Sequence, residues 1–201
     1  MISALHADAF VEHGAPAALT VRKAAMRDIP SILDLINGYA ARGIMLPRTE
    51  FELSEAIRDF SVVTAAERFL GCGALHFYSP AMGEVRSLAV HESAKAQGAG
   101  RKLVEALVAE AKRYDLDAVF AFTYVVEFFG KVGFHEVERG VLPLKAWKDC
   151  LRCPKFQACD EIAVLCILRP DRWTEMGPEN RRERAGISPL DELIQIPTLR
   201  V

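Results

Sequence analysis

The chain carries almost no net charge of either sign. Its 25 Lys and Arg stand against 27 Asp and Glu in 201 residues, a net charge of −2. Proteins that grip nucleic acid by releasing counterions are strongly basic, so no nucleic-acid partner is expected. No apolar run approaches the 18 or more residues that cross a bilayer, so no membrane partner is expected either. The first twenty residues carry His6, Asp8, Glu12 and His13 and lack the basic-then-apolar order of an export signal. A cytoplasmic protein is the expectation. Cysteine is scarce and odd in number, five in all, which argues against a disulfide scaffold. Internal repeats and low-complexity tracts are missing as well. What is there, 51% hydrophobic and 26% charged residues over a length that suits one buried core, reads as a folded globular chain.

Residues 1–18 are Ala-rich with Gly14 and Pro16, show no period and read as a flexible lead-in. A short strand is expected at 20–24. Asp28 and Pro30 then open a helix, with Asp28 expected to accept from first-turn N–H groups, and Gly43 stops it. Thr49 with Glu52 has the spacing of a capping box for a second helix. Strands follow at 61–64, 70–78 and 84–90, then a helix that turns Leu103, Val104, Leu107, Val108 and Ala111 inward. The apolar run 118–123 has the pattern of a strand covered on both faces, followed by a short helix at 126–132, a strand from 134 and a last strand at 162–168. This order predicts an α/β layered domain over 19–168, with helices on both sides of a central mixed, twisted sheet. After Arg169 the composition shifts. The last 33 residues hold four of the ten prolines and no Lys, and 169–201 reads as a C-terminal extension. Its apolar segment 189–199 fits docking on the surface or on a second copy in a homodimer, with a frayed tail as the other reading.

Chemistry concentrates at Gly98-x-Gly100, between a strand and a helix. Two glycines let backbone approach an anion, and the helix beyond them offers unpaired N–H groups and the positive end of its dipole. Arg101 and Lys102 stand in that first turn, opposing the dipole, as cations do where an anion is bound nearby. A pyrophosphate fits. Two rival phosphate loops are absent: a dinucleotide fingerprint needs a third glycine where Leu103 stands, and the G-x-x-x-x-G-K-[ST] spacing does not occur.

The run Leu88-Ala89-Val90-His91, then Lys95-Ala96-Gln97-Gly98-Ala99-Gly100-Arg101-Lys102-Leu103, resembles the acetyl-CoA motif of the GNAT acetyltransferase superfamily. So does Phe128-Phe129-Gly130-Lys131-Val132-Gly133-Phe134, and the resemblance spans about 20–168. Within it, Arg42-Gly43-Ile44-Met45-Leu46-Pro47-Arg48, Glu84-Val85-Arg86-Ser87 and Glu127-Phe128-Phe129 resemble the N-acetylglutamate synthases, most of all the short form without a kinase-like domain. The segment from Cys150-x-x-Cys153-Pro154 to Cys159-Asp160-Glu161 points the same way.

The resemblance implies acetyl-CoA as cosubstrate, with its pantetheine arm lying between the splayed strands 84–90 and 118–123. Leu88, Ala89 and Val90 would hold the arm, Lys95 and the amides of Gln97, Gly98, Ala99, Gly100, Arg101 and Lys102 the pyrophosphate, and Phe129 would line the site. Where many relatives place a Tyr that protonates the departing thiolate, this chain has Phe129; Tyr124 is the candidate acid in its stead, with water as the alternative. Glu84 is the candidate base, expected to share a strand face with Arg86, Leu88 and Val90. The other reading of Glu84 is an ion pair with Arg86 or a solvated strand start. Two carboxylates of L-glutamate would be gripped by Arg48, beside Met45 and Leu46, with Arg86 second and Lys145 third. The implied reaction is acetyl transfer to the α-amino group of L-glutamate in a ternary complex, the entry to arginine biosynthesis. Acetylation of another amino acid or small amine, or acyl-CoA binding without catalysis, are the alternatives.

No metal is expected. Cys150, Cys153 and Cys159 have the C-x2-C start of a zinc site, with Asp160, His135 or Cys166 as fourth ligand, but packed free thiols are the default. His76 reads as a satisfied core histidine within an apolar strand, in preference to a ligand or base.

Overall fold

The computed structural model describes residues 17–142, 153–155 and 158–175. Lys145, Cys150 and the segment 189–199 lie outside the described residues. Seven strands form one sheet: Leu19–Lys23 (β1), Phe60–Ala65 (β2), Arg68–Phe77 (β3), Met82–Val90 (β4), Ala118–Thr123 (β5), His135–Glu136 (β6) and Ile162–Ile167 (β7). Their order is β1-β2-β3-β4-β5-β7-β6, and β4–β5 is the parallel pair. The helices are Ile29–Ala40 (α1), Glu50–Ala56 (α2), Glu92–Lys95 (α3), Ala99–Arg113 (α4), Val126–Gly130 (α5) and Pro170–Glu175 (α6). Among the described residues no helix is long and apolar enough to cross a membrane.

The expected layering holds, for a reason visible in the strand alternation. On one face α1 and α2 bury Ile29, Ile32, Ile36 and Leu53 against Val62, Cys72, Ala74 and Ala89. On the other, α4 packs Val104, Leu107 and Ala111 against Leu75, Val85, Val119 and Ala121. The capping box forms: the Thr49 N–H donates to Glu52 Oε2 at 2.9 Å, and the Glu52 N–H to Thr49 Oγ1 at 3.2 Å. Asp28 behaves differently from expectation. Its carboxylate gives α1 no side-chain cap. It accepts instead from Arg22 at 2.7 and 2.8 Å and from the Ala25 N–H at 2.8 Å, bracing β1 to the turn before α1. The Arg22 hydrogen bonds hold that carboxyl below its ordinary range.

Two irregularities shape the open edge of β4 and the end of the described chain. In the β3–β4 ladder the register passes from Cys72–Ala89 to Ala74–Arg86, so Ser87 and Leu88 both stand opposite Gly73. Ser87 takes φ +51, the left-handed region, in this bulge. Leu88 and Leu107 fill the space above Gly73. The second is α6, which was not expected. It seats Trp173 among Met82, Phe120 and Leu165, and Arg169 and Arg172 both reach Asp115.

Candidate active site

The β4–β5 ladder is short. It runs Met82–Ala118, Gly83–Val119 and Glu84–Phe120 and stops there, although β4 continues to Val90 and β5 to Thr123. Parallel strands that part after three pairs leave a strand edge open to an extended guest. The bulge at Ser87 lies on the diverging part of β4. At the far end of this edge the Tyr39 hydroxyl donates to the Val90 carbonyl at 2.6 Å, which fastens β4 to α1.

The same bulge corrects an expectation about faces. Val85, Leu88 and Val90 turn their side chains to the α4 side. Glu84 and Arg86 pair in register with His76 and Ala74, and Ala89 packs with α1, so these three belong to the opposite face. Glu84 therefore does not share a face with Leu88 and Val90. One extra residue inverts the alternation beyond it.

Past β4 the chain makes α3 and a turn, then enters α4 at Gly98, which takes φ +79 and supplies no side-chain cap. The first-turn N–H groups of Ala99, Gly100 and Arg101 thus have no partner within the helix, and that turn has no acidic residue. A Cβ on Gly100 would meet the Phe128 ring at 3.4 Å, an ordinary van der Waals contact, so Phe128 lies against this turn. Lys95 ion-pairs with Glu92 at 3.0 Å and lies 5.3 Å from the Tyr39 ring centroid, with Arg42 over the same ring. Gln97 donates to the Ser93 carbonyl, Arg101 pairs with Glu105, and Lys102 donates to the Leu19 carbonyl. The side chains are tethered, while the Ala99, Gly100 and Arg101 amides are open to an anion. Bare helical amides, a glycine turn and an open strand edge fit the pyrophosphate and extended arm of acetyl-CoA.

Glu84 has no solvent exposure, and the Tyr78 hydroxyl donates to its Oε2 at 3.1 Å. Phe120 stands beside it across the last ladder pair. Glu84 thus lies out of water at the point where the two strands part. Directly across the β3–β4 ladder from Glu84 is His76, whose Nδ1 lies 2.7 Å from Asp59 Oδ2.

Arg48 ends the segment joining α1 to α2. Asn37 on α1 holds it: the Asn37 Nδ2 donates to the Arg48 carbonyl at 3.0 Å, and the Arg48 N–H donates to Asn37 Oδ1 at 2.9 Å. Met45 in that segment packs on the α1 side of the sheet, the face that carries Glu84 and Arg86. The segment that carries Arg48 thus lies on the α1 side of the sheet, the side to which Arg86 and Glu84 belong.

Tyr124 follows β5. Its hydroxyl donates to Asp160 Oδ1 at 2.8 Å and accepts from Lys155 Nζ at 3.2 Å. Partial burial and then the Asp160 carboxylate raise its pKa, so the hydroxyl keeps its proton. Phe129 packs into the core against Phe128 and Phe134, and it is Phe128 that meets Gly100. Cys153 and Cys159 are half-buried free thiols, and no group of three metal-ligating side chains occurs among the described residues.

Sequence reasoning missed Asn37, Tyr39, Tyr78 and the Asp59 partner of His76. Asn37 had a readable signal, an amide inside a helix, where Asn is a weak helix former and is kept for a bond to backbone.

Residues 34–134 match the acetyltransferase (GNAT) family. An uncharacterized N-acetyltransferase of Chlorobaculum tepidum is 42% identical over 154 residues, 76% of this chain and 99% of that protein. The amino-acid acetyltransferase of Mycobacterium tuberculosis is 36% identical over 121 residues, 59% of this chain and 69% of that one. Among solved structures, the N-acetylglutamate synthase of Neisseria gonorrhoeae complexed with coenzyme A and N-acetyl-glutamate superposes with a TM-score of 0.68 at 27% identity. That match covers 77% of this chain and 36% of the synthase.

Proposed function

The chain belongs to the GNAT acetyltransferase family, and from that premise we propose that it acetylates the α-amino group of L-glutamate, releasing N-acetyl-L-glutamate and CoA. Acetyl-CoA supplies the activated acetyl group as a thioester. The observation that carries the choice of acceptor is the Asn37–Arg48 pair. It ties the Arg48 backbone to α1, which packs on the sheet face bearing Arg86 and Glu84. Arg presents a planar fork of donors, and an acceptor with two carboxylates suits two such forks. The amino-acid acetyltransferase and N-acetylglutamate synthase relatives support the same class of acceptor.

In this reading each part of the site has one task. The β4 edge at Leu88, Ala89 and Val90 holds the pantetheine arm as an added strand, and its N–H groups stabilise the thioester oxygen as charge develops. The open amides of Ala99, Gly100 and Arg101 hold the pyrophosphate, since those of Gln97, Gly98 and Lys102 already donate to the Ala94, Lys95 and Gly98 carbonyls. Arg48, with Met45 and Leu46 beside it, and Arg86 orient glutamate so that its nitrogen meets the acetyl carbon. Glu84 takes the ammonium proton, without which nitrogen has no lone pair for attack. Tyr124 is the candidate to return a proton to the departing thiolate. By its product, the reaction belongs at the start of arginine biosynthesis.

The test is product identification. Purified protein given acetyl-CoA and L-glutamate should form N-acetyl-L-glutamate mole for mole with free CoA, read by mass spectrometry. No product from glutamate, with turnover of another amine, overturns the acceptor and leaves the family chemistry standing.

A further inference from the structure

Glu84, as the proposed base, faces a difficulty of its own. It is fully buried, so a proton it takes has no direct way to water. One proton must leave per turnover. The ammonium nitrogen loses two, the thiolate retains one as CoA thiol, and the new C–N bond and broken C–S bond use none.

His76 stands directly across the β3–β4 ladder from Glu84, and side chains so paired lie roughly 5 Å apart at Cβ, within one hop or one bridging water. Asp59, on the turn that leads into β2, fixes the imidazole: a carboxylate can only accept, so Nδ1 carries the hydrogen and Nε2 keeps its lone pair. The His76 side chain is 22% exposed and that of Asp59 29%, so this pair, unlike Glu84, meets solvent. Tyr78 closes the cluster, its hydroxyl on Glu84 Oε2 and its ring edge-on to His76 at 5.2 Å. The titratable and charged groups around His76 are thus Asp59, Tyr78 on its own strand, and Glu84 and Arg86 on β4.

We propose that the Asp59–His76 pair is the exit route for the catalytic proton: His76 Nε2 takes it from Glu84 and releases it to bulk water. This rests on Glu84 being the base. His76 acts through Glu84, so it is a relay and positioning residue. Proton balance is complete: the ammonium gives a proton to the Glu84 carboxylate, the Glu84 carboxyl passes it to the imidazole, and the imidazolium passes it to water. Imidazole suits the last steps because one ring nitrogen can accept a proton while the other stays hydrogen-bonded to its carboxylate.

The experiment compares kcat and kcat/KM against pH for Glu84→Gln, His76→Ala and Asp59→Asn, each with its melting temperature. His76→Ala should lower kcat about ten- to a hundredfold, leave the KM for acetyl-CoA unchanged and displace the acidic limb of the profile. Added imidazole should restore part of the rate. Asp59→Asn should move the same limb with a smaller loss. Unchanged kcat and limb in His76→Ala, while Glu84→Gln is impaired, overturns the relay and spares the base. A loss in His76→Ala that imidazole does not restore, accompanied by a lower melting temperature, makes the pair a brace and also overturns it. Wild-type kcat in Glu84→Gln removes the base and the relay together.

Discussion

The side chain of Asn37 and the backbone of Arg48 form a closed, two-bond pair, with donation from Nδ2 at 3.0 Å and acceptance at Oδ1 at 2.9 Å. A helix side chain here does for one residue what a neighbouring strand does for many. The segment from Arg42 to Arg48, which has no regular structure to hold it, gains a fixed end. Two half-buried hydrogen bonds contribute about 2 kcal/mol together. Asn37→Ala should lower stability by about that amount in a denaturant titration. It should also raise the KM for glutamate more than that for acetyl-CoA, because the released segment is the one proposed to hold the acceptor. Equal change in both KM values would show that the segment does not serve the acceptor.

Arg48 itself should matter more. Removing a guanidinium from a charged, bidentate contact costs about 3 kcal/mol, or roughly a hundredfold. Arg48→Ala should therefore raise the glutamate KM about a hundredfold while acetyl-CoA binding stays within about twofold. Lys in its place should recover little, since it keeps the charge and loses the fork. Steady-state kinetics with each substrate varied in turn measure both effects.

How far this site was readable from the sequence depends on which residues one takes. The glycine turn and α4 were legible because their signals are local: Gly98 needs positive φ, and Leu103 to Ala111 repeat at helical spacing. The face of Leu88 and Val90 was not. A bulge is a property of two strands in register, and a single strand with an ordinary alternation carries no mark of it. Asp59 and His76 are seventeen residues apart and meet only when β2 folds beside β3. His76 is satisfied, as expected, but at a half-open position beside Glu84 and not in the core. The helix α6 is short and begins where the composition changes at Arg169, so its only local marks are Pro170, which starts it, and Trp173, which buries it.

The β2–β3 hairpin carries a correctable strain. Its two turn residues, Ala66 and Glu67, have φ +45 and +66, a conformation that favours Gly and Asn. Glu67→Gly should raise stability by about 1 kcal/mol, and the melting temperature by about 2–4 °C, with no change in kinetics. A lower melting temperature would mean that the Glu67 side chain has a role outweighing its backbone cost.

Acid should loosen α6 before it unfolds the sheet. Arg172 and then Arg169 hold the Asp115 carboxyl down to about 2 in the folded chain. A depressed carboxyl contributes stability that is full above its unfolded pKa, near 4, and is lost as pH falls toward about 2. Trp173 sits on α6 between these contacts and the core, so its fluorescence reports the helix. In a Trp147→Phe background the signal should change below about pH 4, and Asp115→Asn should produce part of that change at neutral pH. A signal in Asp115→Asn identical to the parent's at neutral pH would show that α6 is held without Asp115, by Trp173 and the Arg172–Asp117 pair at 2.8 Å.

The most direct test of the central claim is the ratio of kcat/KM for L-glutamate to that for L-glutamine and for L-aspartate, read as CoA thiol released from acetyl-CoA. A site that grips both carboxylates at one spacing should favour glutamate at least about tenfold over each, since one loses the second charge and the other shortens the reach. Equal or faster turnover of glutamine, aspartate or an unrelated amine would contradict it.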